Sequence, residues 1–290
     1  MRKFKPSAKD VGQRADIIIA QKYPAYSRSA LNRLFDNGSV LIGDAPAKSS
    51  HRLKAGEQIK LDDSLLKLKA EPIELPVIYE DDDVVVMDKP AGVLSHTKGA
   101  LNDEATVASF LHGKITDKEL SGNRAGIVHR LDRATSGLII GAKTKAAQDY
   151  LQKQFSKRKV KKTYVAVVEG WPNPPEALID APIERNPRMP QTFRVSADGK
   201  SAQTHYKTLK QLQNGAKKYA LLELKPTTGR THQLRVHLKY INHPIVGDRL
   251  YGSGDDLLLH ASELEITLPG GNRQVFTSTI PERIREFGAK

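Results

Sequence analysis

Apolar positions along the chain fall into two patterns, separated by a short stretch bearing prolines. Leu31, Leu34 and Phe35 recur at i, i+3 and i+4 and predict a helix over 28–36, with Ser27 as its N-cap and Asn37-Gly38 as its stop. Ile17, Ile18 and Ile19 belong to a shorter helix over 16–22 that must end before Pro24. Val40-Leu41-Ile42 reads as a strand running into the Gly43-Asp44 turn, and Ile59 and Leu61 alternate with polar residues after the Lys54-Ala55-Gly56 turn as a second strand. Residues 13–70 are therefore expected to form a small α+β domain. The polar, basic segment 1–12 before it is expected to be weakly held. The stretch 70–76 has Pro72 and Pro76 and no period, as a linker does.

Beyond the linker, 77–290 reads as a strand-rich domain. Segments 77–79 and 84–88 flank Glu80-Asp81-Asp82-Asp83 and predict a hairpin. The apolar run 137–143 is expected to be a buried strand. Ala146, Tyr150, Leu151 and Phe155 predict a helix over 145–159. Strands are expected at 164–168, 219–224 and 257–259. Leu234, Leu238 and Ile241 share one face of a helix expected over 231–241, after the turn at Gly229.

Composition narrows the chemistry. The 290 residues include 46 Lys+Arg against 33 Asp+Glu, a net charge of +13, and no cysteine. That excludes disulfides, a Cys-ligated zinc, an iron–sulfur cluster and thiol catalysis. Apolar runs such as Val84-Val85-Val86-Met87 are too short to span a bilayer, and the first residues lack the apolar run of a signal peptide. A soluble, cytoplasmic protein with a polyanionic partner is the expectation, with nucleic acid first among the candidates.

Three clusters could carry function. Gly126-Ile127-Val128-His129-Arg130-Leu131-Asp132-Arg133-Ala134-Thr135-Ser136-Gly137 places Asp132 on a loop between apolar segments, beside Arg130 and Arg133, whose charge would keep it ionised. The plain alternative is an Asp that caps a turn or joins an ordinary ion pair. Lys225-Pro226-Thr227-Thr228-Gly229-Arg230-Thr231-His232-Gln233-Leu234-Arg235-Val236-His237 is a polar loop entering a helix, a place that favours anions; a solvated, capped helix is its alternative. The run 153–162 has six basic residues in ten, either a solvated face or a phosphate track, and leads into Lys162-Thr163-Tyr164. Gly137–Thr144 imitates a phosphate loop, but its apolar middle argues for a buried strand. Histidines 129, 232, 237, 243 and 260 lack metalloprotease spacing and read as hydrogen-bonding or core residues, with no metal expected.

The ordered set HRLD and TSG, KTY, TGRTHQLRVH, HPIVGDRLYG and LLLHA strongly resembles the RluA-type family of pseudouridine synthases over 75–270. Lys89-Pro90-Ala91-Gly92 looks like the start of that catalytic domain. Residues 13–69 resemble the αL-type RNA-binding module of ribosomal-protein-S-four-like domains through Ser27-Arg28-Ser29, Asn37-Gly38-Ser39-Val40 and Lys54-Ala55-Gly56-Glu57, although Ala15 stands where relatives commonly have Leu. The resemblance implies an α+β fold. It implies a catalytic domain on a mixed, mainly antiparallel sheet with flanking helices and a central RNA-binding cleft, plus the small N-terminal α+β RNA-binding module. It implies isomerisation of uridine to pseudouridine, with large-subunit ribosomal RNA as the expected target and transfer RNA as the alternative. No cofactor is implied.

By the same resemblance, Asp132 is the catalytic carboxylate, Tyr164 stacks on the uracil and assists proton removal, and Arg235 pairs with Asp132. Arg130 fills the place of the flipped nucleotide, and Leu259 packs in the pocket. RNA contacts are expected from His129, Arg133, Arg230, His232, Lys159, Lys161, Lys162, Arg28 and Arg33. Ala134 departs from the acidic residue common there. A monomer with no membrane association is expected. Two other readings compete: a non-catalytic RNA-binding or ribosome-assembly protein, which would not need Asp132, Tyr164 and Arg235 together, and a small-molecule hydrolase, which lacks a G-x-S-x-G motif.

Overall fold

In the computed structural model, the polar start of the chain is a strand. Residues 1–290 are described except 25, 27, 68–71, 98–103, 123, 289 and 290, and the side chains of Ser29 and Lys67; the expected Ser27 cap and the first two linker residues thus lie outside the described residues. The chain divides into two compact units, Met1–Ile73 with His96–Ser109, and Glu74–Ser95 with Phe110–Lys290.

The first unit contains β1 (Arg2–Phe4), α1 (Ala15–Lys22), α2 (Arg28–Asp36), β2 (Val40–Ile42), β3 (Ala45–Pro46), β4 (Ile59–Leu61) and α3 (Ser64–Lys67). Its sheet runs β1-β4-β2-β3, all antiparallel. The expectation of a weakly held 1–12 is corrected here: β1 takes the free edge of β4, with Phe4 opposite Ile59 and Arg2 Nε 2.7 Å from Asp63. Three residues of mixed polarity carry no period, so sequence pattern misses such a strand. Ile18, Ile19, Leu31, Leu34, Ile59 and Leu61 are buried together, as their spacing requires.

The remaining elements are β5 (Val77–Glu80), β6 (Val84–Lys89), α4 (Val107–His112), β7 (Ser136–Ala142), α5 (Lys145–Ser156), β8 (Lys161–Glu169), β9 (Glu176–Asp180), β10 (Ile183–Arg185), β11 (Phe193–Val195), β12 (Gln203–Asn214), β13 (Lys217–Pro226), α6 (Gln233–Tyr240), β14 (Leu259–Thr267), β15 (Arg273–Thr277) and α7 (Glu282–Arg285). Among the described residues, nine strands form one mixed sheet in the order β5-β6-β7-β14-β8-β13-β12-β9, with β15 alongside β14. Its pairings are antiparallel except β14 with β7. β7 is buried along its whole length, so the phosphate-loop imitation at 137–144 is a core strand.

Three boundaries differ from expectation. α5 stops at Ser156, because Arg158 leaves the helical region at φ 56° and turns the chain towards β8. α6 starts at Gln233, because His232 is also left-handed, at φ 56°. β14 begins only at Leu259. β12 was not expected at all: it is long, polar and largely exposed beyond Tyr206, and its partners β13 and β9, not its own pattern, make it a strand.

Lys162, Tyr164, Ala166 and Val168 alternate onto one face of β8. α6 covers part of that face, packing Leu234 and Leu238 near Ala166, Val168, Leu222 and Leu224. α5 covers the β6–β7 end through Ala147 and Leu151. A cleft of about 530 Å³ opens over Lys162 and Tyr164, lined by α5 on one side and by the start of α6 on the other.

Gly137 makes the parallel contact possible. It lies at φ 111° directly across from Ala261, and a Cβ there would stand 2.2 Å from the Ala261 carbonyl oxygen. Neither backbone can yield without parting β7 from β14. Gly137→Ala should destabilise the protein by about 2–4 kcal/mol, read as a lower denaturant midpoint with an unchanged slope.

Candidate active site

Asp132 sits in the loop that leads into β7, and buried contacts hold that loop from beneath. Lys89, fully buried at the end of β6, donates from Nζ to the carbonyls of Pro90 and Val93 at 2.9 Å and of Arg133 at 3.3 Å. Burial pushes its pKa down to about 8, against the pull of Asp132. Ser95 brackets Leu131, its hydroxyl donating to the carbonyl at 2.8 Å and accepting the N–H at 3.0 Å. The Thr135 N–H closes the turn on the Asp132 carbonyl at 3.1 Å.

The basic side chains within 4 Å of Asp132 are Arg235 on α6 and His232 just before that helix; its sequence neighbours Arg130 and Arg133 share its loop. Both neighbours are exposed, and Arg133 donates from Nη1 to the Gly92 carbonyl at 3.2 Å. Arg235 Nη1 stands 3.6 Å and His232 Nε2 4.0 Å from Asp132 Oδ2. Arg235 makes its tighter bonds elsewhere: Nε and Nη2 grip Asp248 at 2.8 and 2.7 Å. Asp248 is fully buried and also accepts the Leu250 and Tyr251 N–H groups, at 2.9 and 3.1 Å. The Tyr251 ring lies under the Arg235 guanidinium at 5.1 Å.

Tyr164 projects from β8 where the strand pairs with Leu224 on one side and Ala261 on the other. Burial, with the Asp132 charge, raises its pKa above the ordinary phenol range, so in the resting site it offers a neutral ring. Leu259 is buried and lines the cleft beside it. His129 accepts the Ile140 N–H at Nε2, 3.0 Å, and stacks on Phe155 at 4.5 Å; burial, helped by the Lys162 charge, brings its pKa to about 3. It is a neutral wall of the cleft, not a cation.

Lys162 donates to the Thr228 carbonyl at 3.3 Å, and burial lowers its pKa to about 8. Arg230 donates from Nε to the Ser201 carbonyl at 3.1 Å on the opposite rim. Lys159 is exposed in the turn after α5, and Lys161 pairs with Glu265 at 3.1 Å. Arg28 and Arg33 lie on α2 of the other unit; Arg28 Nη2 is 2.7 Å from the buried Asp16, and Arg33 is exposed. Sequence reading gave no role to Lys89, Asp248, Tyr251 or Gln233. Gln233 orders the 228–230 loop by accepting from the Thr228 hydroxyl at 2.7 Å and the Arg230 N–H at 3.0 Å. The signal for the first three was present in KPAG and GDRLYG, but nothing local says what those motifs touch. His237 and His260 are buried, hydrogen-bonded residues, and among the described residues no group of three or more His, Cys, Asp or Glu is placed to hold a metal ion.

A loop carboxylate facing an arginine and a histidine, beside an aromatic floor and under a basic rim, invites comparison with known proteins. Residues 83–240 match the model of the RNA pseudouridylate synthase family. The chain belongs to that family. It is 39% identical over 273 residues to ribosomal large subunit pseudouridine synthase D of Xanthomonas campestris, covering 91% of this chain and 78% of the relative. It is 35% identical over 295 residues to an RNA pseudouridine synthase of Bacillus subtilis, covering 97% and 95%. Among solved structures, human RNA pseudouridylate synthase domain containing 1 matches with a TM-score of 0.59 at 26% identity, over 74% of this chain and 89% of that one. The chain is thus an RNA pseudouridine synthase, an isomerase whose substrate is RNA. No helix among the described residues is long and apolar enough to cross a membrane.

Lys89 gives this synthase a measurable pH signature. Unfolded, the lysine titrates near 10.5; folded, near 8. Between those values the unfolded chain binds the extra proton, so stability rises with pH. The stability of wild type relative to Lys89→Met should therefore increase by about 3 kcal/mol from pH 8 to pH 10.5, measured by denaturant titration at each pH. A difference that stays flat would show that Lys89 keeps its ordinary pKa and is not desolvated in the folded protein.

Proposed function

We propose that this synthase converts uridine to pseudouridine in large-subunit ribosomal RNA, with Asp132 as the catalytic carboxylate. The observation that carries the reading is the placement of Asp132 in the cleft, 3.6 Å from Arg235 and beside the Tyr164 ring. The ribosomal target is supported by relatives named for that activity in Xanthomonas campestris and Borreliella burgdorferi, 39% and 35% identical.

The reaction breaks the N1–C1′ bond, turns the uracil, and rejoins it through C5. A base in a helix is out of reach, so the nucleotide must flip out, at a cost of about a few kcal/mol. Arg130, exposed at the cleft, is the side chain to occupy the vacated stack. Asp132 then acts at the sugar, as nucleophile at C1′ or as base at C2′, and both routes use the carboxylate that Arg235 faces at 3.6 Å. Tyr164 gives the detached uracil a face, worth about 1–3 kcal/mol in stacking. Leu259 packs the back of that site. Arg158, Lys159, Lys162 and Arg230 border the route of the RNA backbone, where they bind phosphates without reading sequence. The domain at 13–70 adds a second grip on RNA, with Arg28 and Arg33 on α2 as contacts. In this reading the protein works as a cytoplasmic monomer.

Mapping pseudouridine in ribosomal RNA from cells with and without this gene tests the reading. At least one large-subunit position should lose its modification in the deletion, regain it with the wild-type gene, and stay unmodified with Asp132→Asn. Purified Asp132→Asn should bind RNA with affinity within about threefold of wild type, because the lost charge serves chemistry and not phosphate contacts. An unchanged modification map, or isomerisation by Asp132→Asn, contradicts the assignment.

A further inference from the structure

The sugar of the target nucleotide has a recognition site of its own in the cleft, an inference that rests on the synthase reading above. Asp132 Oδ2 and His232 Nε2 stand 4.0 Å apart, too far for a direct hydrogen bond. Both side chains are mostly enclosed, with 18% and 15% of their surfaces exposed, and both line the cleft.

The partners of the His232 ring favour one position for its hydrogen. Nδ1 lies 2.8 Å from Tyr251 Oη, and the same oxygen accepts the Phe193 N–H at 2.8 Å. A phenol has one proton to give, and Nδ1 is the acceptor it reaches. The neutral ring then carries its own hydrogen on Nε2, on the side of Asp132. Burial favours that neutral form, and so do the charges of Arg235 and Arg130, against Asp132 and Asp248. The rings of Phe193 and Tyr251 meet His232 edge-on, at 5.5 and 5.6 Å, and restrain it from swinging away. Its backbone at φ 56° is a conformation that few side chains with a Cβ adopt, held here where the ring must face the cleft.

The result is a donor and an acceptor separated by a gap that one oxygen can bridge. A carbonyl would satisfy only Nε2–H, and an N–H group only Oδ2. A hydroxyl satisfies both, accepting from His232 and donating to Asp132. With Asp132 working at C1′ or C2′, the hydroxyl within reach is the one on C2′, the group that separates RNA from DNA. We propose that His232, oriented by Tyr251, and Asp132 together clamp the 2′-hydroxyl of the flipped uridine, so that the active site itself selects ribose.

The test is a cycle of two enzymes and two substrates. Wild type and His232→Asn are each given the target RNA and the same RNA with a single 2′-deoxyuridine at the modified position, and kcat/KM and Kd are measured. Asparagine tolerates the left-handed backbone, but its amide ends short of the Nε2 position. Either change alone should lower kcat/KM about tenfold, the worth of one well-placed hydrogen bond. Both together should cost little more than one, since the same bond is lost only once. If the deoxy substrate turns over too slowly to measure, the four dissociation constants should show the same non-additivity. Tyr251→Phe, which frees the ring to change tautomer, is the second variant and should lose activity on the ribose substrate while losing little more on the deoxy one. Losses that simply multiply in both measurements would overturn the clamp. Failure of wild type to modify any all-ribose RNA would instead overturn the synthase reading on which the clamp rests.

Discussion

One guanidinium is shared by two carboxylates, and the cleft depends on how it is shared. Asp248, with no exposed surface, takes both parallel bonds of Arg235 and two backbone N–H groups besides. A buried pair of this kind repays its desolvation only through good geometry, so its value lies in direction more than in stability. With Nε and Nη2 committed to Asp248, Arg235 has Nη1 left for Asp132, at 3.6 Å. Were Asp248 absent, the fork would be free to close on Asp132 and hold the carboxylate that must act on the sugar. The same aspartate anchors the Tyr251 backbone, and Tyr251 in turn sets the His232 ring.

The sheet brings this arrangement to the loop from the other side. β7 and β14 pair in parallel at Ser136 with His260 and Gly137 with Ala261, and Ala261 is also the partner of Tyr164 on β8. The loop bearing Asp132, the ring of Tyr164 and the side chain of Leu259 therefore converge at one crossing of three strands. Lys89 closes the same corner from below by gathering three carbonyls, one of them from the Asp132 loop. A loop held this way keeps a reactive carboxylate in place before any substrate arrives, which is what catalysis by positioning requires.

Periodic elements were legible in the chain, and contacts distant in sequence were not. α2 covers 28–36 as its spacing predicts, and β7 is the buried strand its apolar run implies. β1 and β12 were missed because their pairing partners, not their patterns, make them strands. At the site, the HRLD, KTY and QLRVH motifs pointed to Asp132, Tyr164 and Arg235, and these residues do line one cleft. The groups nearest Asp132 were not legible from its sequence neighbours Arg130 and Arg133: they are Arg235 and His232, a hundred residues on. Asp248 and Lys89 stayed silent because a buried charge declares itself only through partners that sequence does not bring near.

The central claim is that Asp248 sets the aim of Arg235 without touching the substrate. Single-turnover kinetics of Asp248→Asn at saturating RNA tests it most directly, with Kd and thermal stability measured on the same preparation. The variant should remain folded and bind RNA with near wild-type Kd, while the rate of pseudouridine formation falls about a hundredfold through misplacement of Arg235 and Asp132. A folded Asp248→Asn that turns over within twofold of wild type would contradict the account.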